Sequence, residues 1–136
     1  SSMNKTENIT SQKSAYTDVI LGHASNKSEE EFGTCGKIAV ISSIMGSQER
    51  AGSNALIYRA SKAAATNLAR SLAIELAPRS IAVGAYHPGW VRTDMGGPSA
   101  DVSPQESAAG LLSRFDQLNI TNTGIYESYS GEKLPF

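Results

Sequence analysis

The stretch KIAVISS, residues 37–43, decides the fold class of this chain. Four apolar residues follow Lys37 without interruption, and three of them are β-branched. A strand that is buried on both faces has this composition, and such strands occur in parallel sheets that are covered by helices. Two hydroxyl-bearing residues, Ser42 and Ser43, come next. They would lie at the carboxyl end of the strand, where open α/β sheets bind their ligands.

Helix and strand patterns alternate along the chain after this strand. Residues 58–77 predict a long helix, because they are rich in Ala and Leu and contain no Gly or Pro. A leucine recurs every four residues within it and marks one buried stripe, formed by Leu68, Leu72 and Leu76. Residues 81–86 predict a second apolar strand, which ends in the turn His87-Pro88-Gly89.

The last part of the chain adds a helix and a strand. Ser103-Pro104-Gln105-Glu106 is typical of a helix start, with Ser as the N-cap, Pro at the first position and Glu three residues after the cap. The expected buried face of that helix is formed by Ala108, Leu111, Leu112, Phe115 and Leu118. Residues 124–129 predict a third strand. This alternation predicts an α/β fold with a partial, Rossmann-like parallel sheet, the C-terminal half of a doubly wound fold as a three-layer α/β/α remnant.

Two regions of the chain differ in composition. Residues 1–36 are mostly polar, with one short apolar piece, Val19-Ile20-Leu21, that could be a strand or one turn of helix. Most of this segment is expected to be loop or disordered. Residues 37–136 are expected to form the Rossmann-like half-domain.

Composition and charge argue against several classes of partner. The 136 residues carry a net charge of -1 with no basic excess, so nucleic acid and anionic membranes are not expected partners. No apolar run approaches the ~20 residues that span a bilayer, and no signal-peptide core is seen, so a cytoplasmic location is expected. The single cysteine, Cys35, is interpreted as an inert loop residue, with a reactive thiol as the alternative. No metal site is predicted.

Tyr58 and Lys62 stand four residues apart at the start of the predicted long helix, so their side chains share one helical face. A nearby ammonium favours the anionic form of a phenol, and such a pair can exchange a proton with an alcohol or carbonyl oxygen. Taken alone, the spacing more simply indicates an exposed helix start with a solvated lysine. Because parallel strands end at one edge of the sheet, Ser42-Ser43, this helix start and the turn after residues 81–86 should meet in one crevice.

Together these motifs resemble those of the short-chain dehydrogenases/reductases. The resemblance rests on Ile41-Ser42-Ser43, on Tyr58-x-x-x-Lys62 and on Pro88-Gly89-x-Val91-x-Thr93. It extends through the stretches YRASKAA, SLAIELAP, HPGWVRTDMGGP and GIYESYSGEKLPF. The sequence is most similar to the carbonyl-reductase branch, which includes the bacterial C-factor-like proteins, and the resemblance covers residues 36–136.

The resemblance implies an NAD(P)-dependent oxidoreductase that acts on a small-molecule carbonyl or alcohol. It implies Tyr58 as the catalytic acid/base and Lys62 as the residue that assists it and binds the nicotinamide ribose. Ser43 would orient and polarise the substrate carbonyl, with Ser42 as the less favoured choice. The separation of Ser43 and Tyr58 is slightly longer than the commonest family spacing, which implies an insertion in the intervening loop.

The same resemblance implies contacts to cofactor and substrate. The nicotinamide would be lined by Pro88, Gly89, Val91 and Thr93. Trp90 and Met95 would border the substrate pocket, and core packing is an equally good interpretation of these two side chains. The family's glycine-rich turn for the pyrophosphate is not found in the sequence, nor is the residue that selects NAD or NADP. The resemblance therefore implies NAD(P)(H) as the cofactor, although the family's usual glycine-rich motif for binding it is not found in this sequence.

This departure from the family pattern leaves three interpretations of function. The chain could be an oxidoreductase, a non-catalytic truncated relative that self-associates or binds a partner, or an incomplete gene product with no selected function. One side of the first strand would lack its usual neighbours. Because an exposed apolar edge tends to recruit a partner, we predict a homo-oligomer.

Overall fold

The computed structural model describes residues 36–136, so the predicted loop or disordered segment over residues 1–36 lies, apart from Gly36, outside the described residues. Three strands and two long helices alternate along the described chain. In order they are β1 (Lys37–Ile41), α1 (Leu56–Leu76), β2 (Ala82–His87), α2 (Pro104–Gln117) and β3 (Tyr126–Ser128). Two short 3-10 turns, Ile44–Gly46 and Ala77–Arg79, follow β1 and α1.

The three strands form one parallel sheet in the order β1-β2-β3. Ile41 at the end of β1 lies opposite Tyr86 of β2. His87 at the end of β2 lies opposite Ser128 of β3. The carboxyl ends of all three strands therefore open on one edge of the sheet, as the alternation of elements predicts.

Helix α1 covers one face of the sheet through small side chains. Ala65, Ala69 and Ala73 are buried on the helix and belong to the same core cluster as Val83 and Ala85 of β2. Because an alanine projects only a methyl group, the helix backbone can lie close to the strands. This close approach brings the first turns of α1 against the end of β1.

Helix α2 covers the opposite face of the sheet. The rings of Tyr86 and Phe115 meet edge to face, with centroids 5.1 Å apart. Lys37 Nζ donates hydrogen bonds to the carbonyl oxygens of Phe115 (3.0 Å) and Asp116 (2.9 Å), which ties the start of β1 to the end of α2. A parallel sheet with a helix on each face confirms the α/β class and the three-layer arrangement.

The start of α2 agrees with its sequence pattern, and its buried face does not. Ser103 and Glu106 form the reciprocal capping box. Leu112 is 63% exposed and Ala108 is also exposed, so the prediction that both are buried is wrong. Ser107 is buried in their place, because it bonds to the turn that follows β2.

Several element boundaries differ from those the sequence predicts: β2 lies one residue later than residues 81–86, and two further differences have a local cause. Helix α1 begins at Leu56 rather than Tyr58, after Ala55 in a left-handed conformation with φ 51°. Strand β3 is shorter than residues 124–129, because Gly124, with φ +86°, still belongs to the preceding turn. Within residues 36–136, no helix has the length and apolar character that a membrane span requires.

Candidate active site

Ser42 joins the end of β1 to α1. Its side chain is buried, and its hydroxyl donates a hydrogen bond of 3.0 Å to the carbonyl oxygen of Lys62. The same hydroxyl lies 2.6 Å from that of Thr66, one turn further along the helix. These contacts occupy the Ser42 hydroxyl within the protein, which makes it a structural link between strand and helix.

Ser43 begins the 3-10 turn Ile44–Gly46. Its hydroxyl oxygen accepts a hydrogen bond from the backbone N–H of Met45 at 3.1 Å, and its carbonyl accepts one from Gly46 at 2.9 Å. A hydroxyl that accepts through its oxygen still carries a proton that it can donate. Ser43 is therefore oriented by its own turn and retains a donor for a substrate oxygen.

Gly46 lets this turn touch the backbone of α1. A Cβ atom at Gly46 would lie 2.7 Å from the carbonyl carbon and oxygen of Lys62 and 3.0 Å from the nitrogen of Ala63. Real Cβ atoms almost never come that close to backbone atoms. Because Gly46 has no side chain, its turn can lie directly against α1. This places Ser43 beside the helix turn that carries Lys62.

Tyr58 and Lys62 lie on one face of α1, as their spacing predicts. The Lys62 ammonium is 5.5 Å from the centroid of the Tyr58 ring. Lys62 is 6% exposed, whereas Tyr58 is 37% exposed. A phenol that reaches solvent beside a largely buried cation is suited to exchange a proton with a bound molecule.

Arg59 orders the loop that precedes Tyr58. Its guanidinium donates to the carbonyl oxygen of Asn54 at 2.8 Å, to the Asn54 side chain at 2.9 Å and to the carbonyl oxygen of Arg50 at 3.1 Å. These contacts close the loop on the first turn of α1. The loop between Ser43 and Tyr58, in which the resemblance implies an insertion, is thus fixed by the helix it precedes.

The Pro88-Gly89 turn follows β2 at the same edge of the sheet. Gly89 has φ +85°, a conformation that glycine adopts without strain. The ring of Tyr129 and the side chain of Val102 fill the space beside its Cα atom. The buried Ser107 hydroxyl of α2 donates a hydrogen bond of 2.6 Å to the Pro88 carbonyl oxygen. The turn is therefore held from both of its sides.

The segment after this turn is held by backbone hydrogen bonds and by the Thr93 hydroxyl. Val91 forms an isolated parallel bridge with Val102. Thr93 accepts hydrogen bonds from Gly96, through its hydroxyl at 3.2 Å, and from Gly97, through its carbonyl at 2.8 Å. Val91 and Thr93 are thus placed beyond the end of β2, on one ordered loop.

Trp90 and Met95 lie on that loop with their side chains exposed. Trp90 is 53% and Met95 86% exposed, so neither packs into the core of the described residues. Core packing, the alternative interpretation of these two residues, is therefore wrong for residues 36–136. Their role at a substrate pocket stays a prediction.

His87 is a polar residue at this edge to which the sequence reading gave no role. Burial lowers the pKa of His87, and the negative charge of Glu132 opposes that shift. Its Nδ1 atom is buried without a hydrogen-bond partner among the described residues. The imidazole beside the Pro88-Gly89 turn is therefore favoured in its neutral form.

Residues 28–103 match the family model for the short chain dehydrogenases. The chain belongs to the short-chain dehydrogenase/reductase family. C-signal of Myxococcus xanthus is 37% identical over 105 residues, which cover 76% of this chain and 63% of C-signal. The match begins before Gly36, so the family relationship extends beyond the described residues.

Solved structures of short-chain dehydrogenases/reductases share the fold. The carbonyl reductase Sniffer of D. melanogaster superimposes with a TM-score of 0.71 at 32% identity, over 79% of this chain and 45% of that one. The NADPH-bound carbonyl reductase from chicken fatty liver gives a TM-score of 0.68 at 34% identity, over 74% and 42%. The chain thus spans less than two thirds of each of these relatives.

The described residues fit one end of a nicotinamide cofactor of this family. The Lys62 ammonium and the hydroxyls of Tyr58 and Thr93 are donors suited to ribose hydroxyls and a carboxamide. Residues 36–136 contain no glycine-rich turn between a strand and a helix N-terminus, the feature that binds a pyrophosphate. The site therefore matches the nicotinamide half of the cofactor better than its phosphate half.

Several residues that shape the site were missed in the sequence, among them Thr66, Ser107 and Tyr126. Ser107 falls on the same face of α2 as Leu111 and Leu118, and a polar residue inside an apolar stripe is the signal that could have identified it. Nothing in the local pattern around Tyr126 indicates its partner, the carbonyl oxygen of Ser43.

Proposed function

We propose that this chain carries the catalytic face of an NAD(P)(H)-dependent oxidoreductase that interconverts a carbonyl and an alcohol. One observation supports the proposal above the others. The Ser43 turn touches the backbone of Lys62 through Gly46, and the Lys62 ammonium lies beside the Tyr58 ring. A hydrogen-bond donor, a proton-exchanging phenol and a cation are thereby grouped at the carboxyl end of β1.

Each of these three residues has a distinct task in the proposed reaction. In reduction, Tyr58 donates its phenolic proton to the substrate oxygen, and in oxidation it takes that proton back. Lys62 stabilises the phenolate that remains. Ser43 donates a hydrogen bond to the same substrate oxygen and fixes the orientation of the carbonyl. A bound nicotinamide cofactor supplies or accepts the hydride.

The loop after β2 would hold the cofactor and substrate. We assign the nicotinamide contacts to Pro88, Gly89, Val91 and Thr93. The exposed Trp90 and Met95 would border the substrate. Relatives of known structure bind NADP or NADPH, which makes NADPH the first cofactor to test.

A second candidate is a non-catalytic module that self-associates. Several large apolar side chains of the described residues are exposed, namely Leu56, Ile57, Ile74 and Leu112. Exposed apolar side chains on a folded surface favour association. Sedimentation of the purified chain tests this candidate. A concentration-dependent dimer supports it, and a single monomeric species at all concentrations contradicts it.

The oxidoreductase proposal is tested by cofactor binding. NADPH and NADH are titrated into the purified chain while nicotinamide fluorescence and the melting temperature are followed together. A ligand that binds the folded state raises the melting temperature by mass action. Saturable binding, followed by carbonyl reduction that Tyr58→Phe abolishes while binding is retained, supports the proposal. Absence of binding at millimolar cofactor contradicts it for this chain.

A further inference from the structure

Three buried hydroxyl groups meet between β1, α1 and β3. They belong to Ser42, Thr66 and Tyr126, which we call the buried hydroxyl cluster. All three residues are buried, and each is supplied by a different part of the fold. Burial of a hydroxyl costs free energy unless it forms a hydrogen bond. The partners of these three hydroxyls therefore help to determine the structure of the site.

The cluster contacts the backbone of two candidate catalytic residues. The Tyr126 hydroxyl donates a short hydrogen bond to the carbonyl oxygen of Ser43. The Ser42 hydroxyl donates to the carbonyl oxygen of Lys62 at 3.0 Å and pairs with Thr66 at 2.6 Å. The cluster therefore reaches Ser43 from one side and Lys62 from the other.

The Tyr126 hydroxyl lies near the other two members of the cluster. Burial raises the pKa of Tyr126, while hydrogen bonds with Thr66 and Ser42 oppose that shift. The phenol therefore stays protonated near neutral pH and can act as a donor. Thr66 and Ser42 thus stand close enough to the Tyr126 hydroxyl to affect its ionisation, so the three hydroxyls share one region of the interior.

We propose that the buried hydroxyl cluster fixes the position of the Ser43 turn relative to Lys62, so that its members are positioning residues for the site. The proposal rests on the function assigned above, because that function gives Ser43 and Lys62 their tasks. The Ser43 carbonyl accepts from both Gly46 N–H and Tyr126, so both of its lone pairs are used. Rotation of the Ser43 peptide would break both bonds at once.

The segment after β3 braces Tyr126 in this role. The Phe136 ring lies 5.5 Å from the Tyr126 ring, and the Arg70 guanidinium lies 4.2 Å from the centre of the Phe136 ring. The carbonyl oxygen of Phe136 accepts hydrogen bonds from the backbone N–H groups of Gln48 and Glu49. The residues that follow the Ser43 turn are therefore held by the same segment.

Amide hydrogen exchange of the full chain, followed by NMR, tests the proposal without requiring turnover. The reporters are the N–H groups of Met45 and Gly46, which bond to the hydroxyl and carbonyl of Ser43. Tyr126→Phe removes only the hydroxyl that reaches Ser43. Tyr86→Phe is the matched control, since the Tyr86 hydroxyl is equally buried in the sheet but has no hydrogen-bond partner among the described residues.

We expect exchange at Met45 and Gly46 to accelerate about fivefold to tenfold in Tyr126→Phe and to stay unchanged in Tyr86→Phe. Amides of β2 and α1 should keep their rates, because a general loss of stability would accelerate all of them together. Equal rates at the two reporters in wild type and Tyr126→Phe, or a uniform acceleration, would overturn the proposal.

A second pair of variants guards against poor folding of Tyr126→Phe. Thr66→Val removes the Thr66 hydroxyl from the cluster at nearly constant side-chain shape, and Thr66→Ser keeps a hydroxyl at that position. Faster exchange at the two reporters in Thr66→Val, with recovery in Thr66→Ser, supports the proposal, and equal rates in both contradict it. These results do not depend on cofactor binding, so failure of the proposed oxidoreductase function would be seen separately in the titration.

Discussion

The hydroxyl of Ser107 donates a 2.6 Å hydrogen bond to the carbonyl oxygen of Pro88, which joins the second turn of α2 to the loop after β2. Ser107 is buried, so this bond is shielded from water. It fixes a peptide group next to Gly89, in the segment to which we assign nicotinamide contacts. Ser107 lies outside every motif recognised in the sequence. Its hydrogen bond nevertheless holds the Pro88-Gly89 motif in position.

Replacement of Ser107 tests this bond. Ser107→Ala leaves the Pro88 carbonyl without its partner, and we expect the free energy of unfolding to fall by about 1–2 kcal/mol. Urea denaturation measures the change. Ser113→Ala, an exposed serine of the same helix, is the control and should shift the midpoint little. Equal effects of the two substitutions would count against the bond's importance.

Gly46 should tolerate no side chain. In Gly46→Ala the new Cβ would sit 2.7 Å from backbone atoms of Lys62, which cannot move aside as a flexible side chain could. We expect a loss of about 1–3 kcal/mol in the free energy of unfolding. Ser53→Ala, in the exposed loop that follows, should be close to neutral. Wild-type stability of Gly46→Ala would show that the turn does not approach α1 so closely.

Ala55 offers the opposite test, in which a glycine is expected to help. Its φ of 51° is left-handed, a conformation that costs an alanine about 1–2 kcal/mol. Ala55→Gly should therefore raise the free energy of unfolding by about 0.5–1 kcal/mol, after the entropy that glycine loses on folding is subtracted. Ala51→Gly in the same loop should lower stability slightly or leave it unchanged. Thermal denaturation of both variants decides between these outcomes.

Glu127 should make stability depend on pH in an unusual direction. Burial raises the pKa of Glu127, and the charges of Arg114 and Lys133 oppose that shift. A carboxyl with a raised pKa binds its proton more tightly in the folded state. Its contribution to stability is therefore full below its ordinary pKa, about 4.3, and is lost as the pH rises through the raised value. Glu127→Gln has no carboxyl to ionise in this buried position. Its free energy of unfolding should therefore exceed that of wild type as the pH rises toward neutral.

The control for this experiment is Glu106, whose pKa shifts the other way. Hydrogen bonds from Ser103 lower the pKa of Glu106 in the capping box. Its stabilising effect is present above its ordinary pKa and is lost as the pH falls through the lowered value. Toward neutral pH the two variants should therefore depart from wild type in opposite directions, with Glu127→Gln more stable and Glu106→Gln less stable than wild type, and both should approach wild type at low pH. A wild-type slope retained in Glu127→Gln would exclude Glu127 as its source.

The sequence predicted the parts of this fold whose causes are local. The capping box of α2 depends on residues within Ser103–Glu106, and the strand Lys37–Ile41 is evident from its own composition. The spacing of Tyr58 and Lys62 likewise places both on one face of a helix. In each case the deciding chemistry lies within a few residues.

The parts that were missed or wrong depend on contacts between distant residues. Leu112 fits an apolar stripe by spacing, yet the sheet meets α2 on a face that buries Ser107 instead. The choice between Ser42 and Ser43 also becomes clearer only when Thr66 and the Lys62 carbonyl are seen around Ser42. No periodicity within the sequence encodes which strand or helix will supply such a partner.

The hydrogen bond from Tyr126 to Ser43 spans 83 positions of the chain, and that from the Ser47 hydroxyl to the Phe136 carbonyl spans 89. A ribosome makes Ser43, Tyr58 and Lys62 well before it makes the residues that brace them. The nascent chain can form α1 early, whereas the bonds from Tyr126 and to the Phe136 carbonyl can form only after those residues have been made. Contacts between residues that are distant in the sequence form slowly relative to a helix. We therefore expect the contacts that brace the candidate site to be among the last to form during folding.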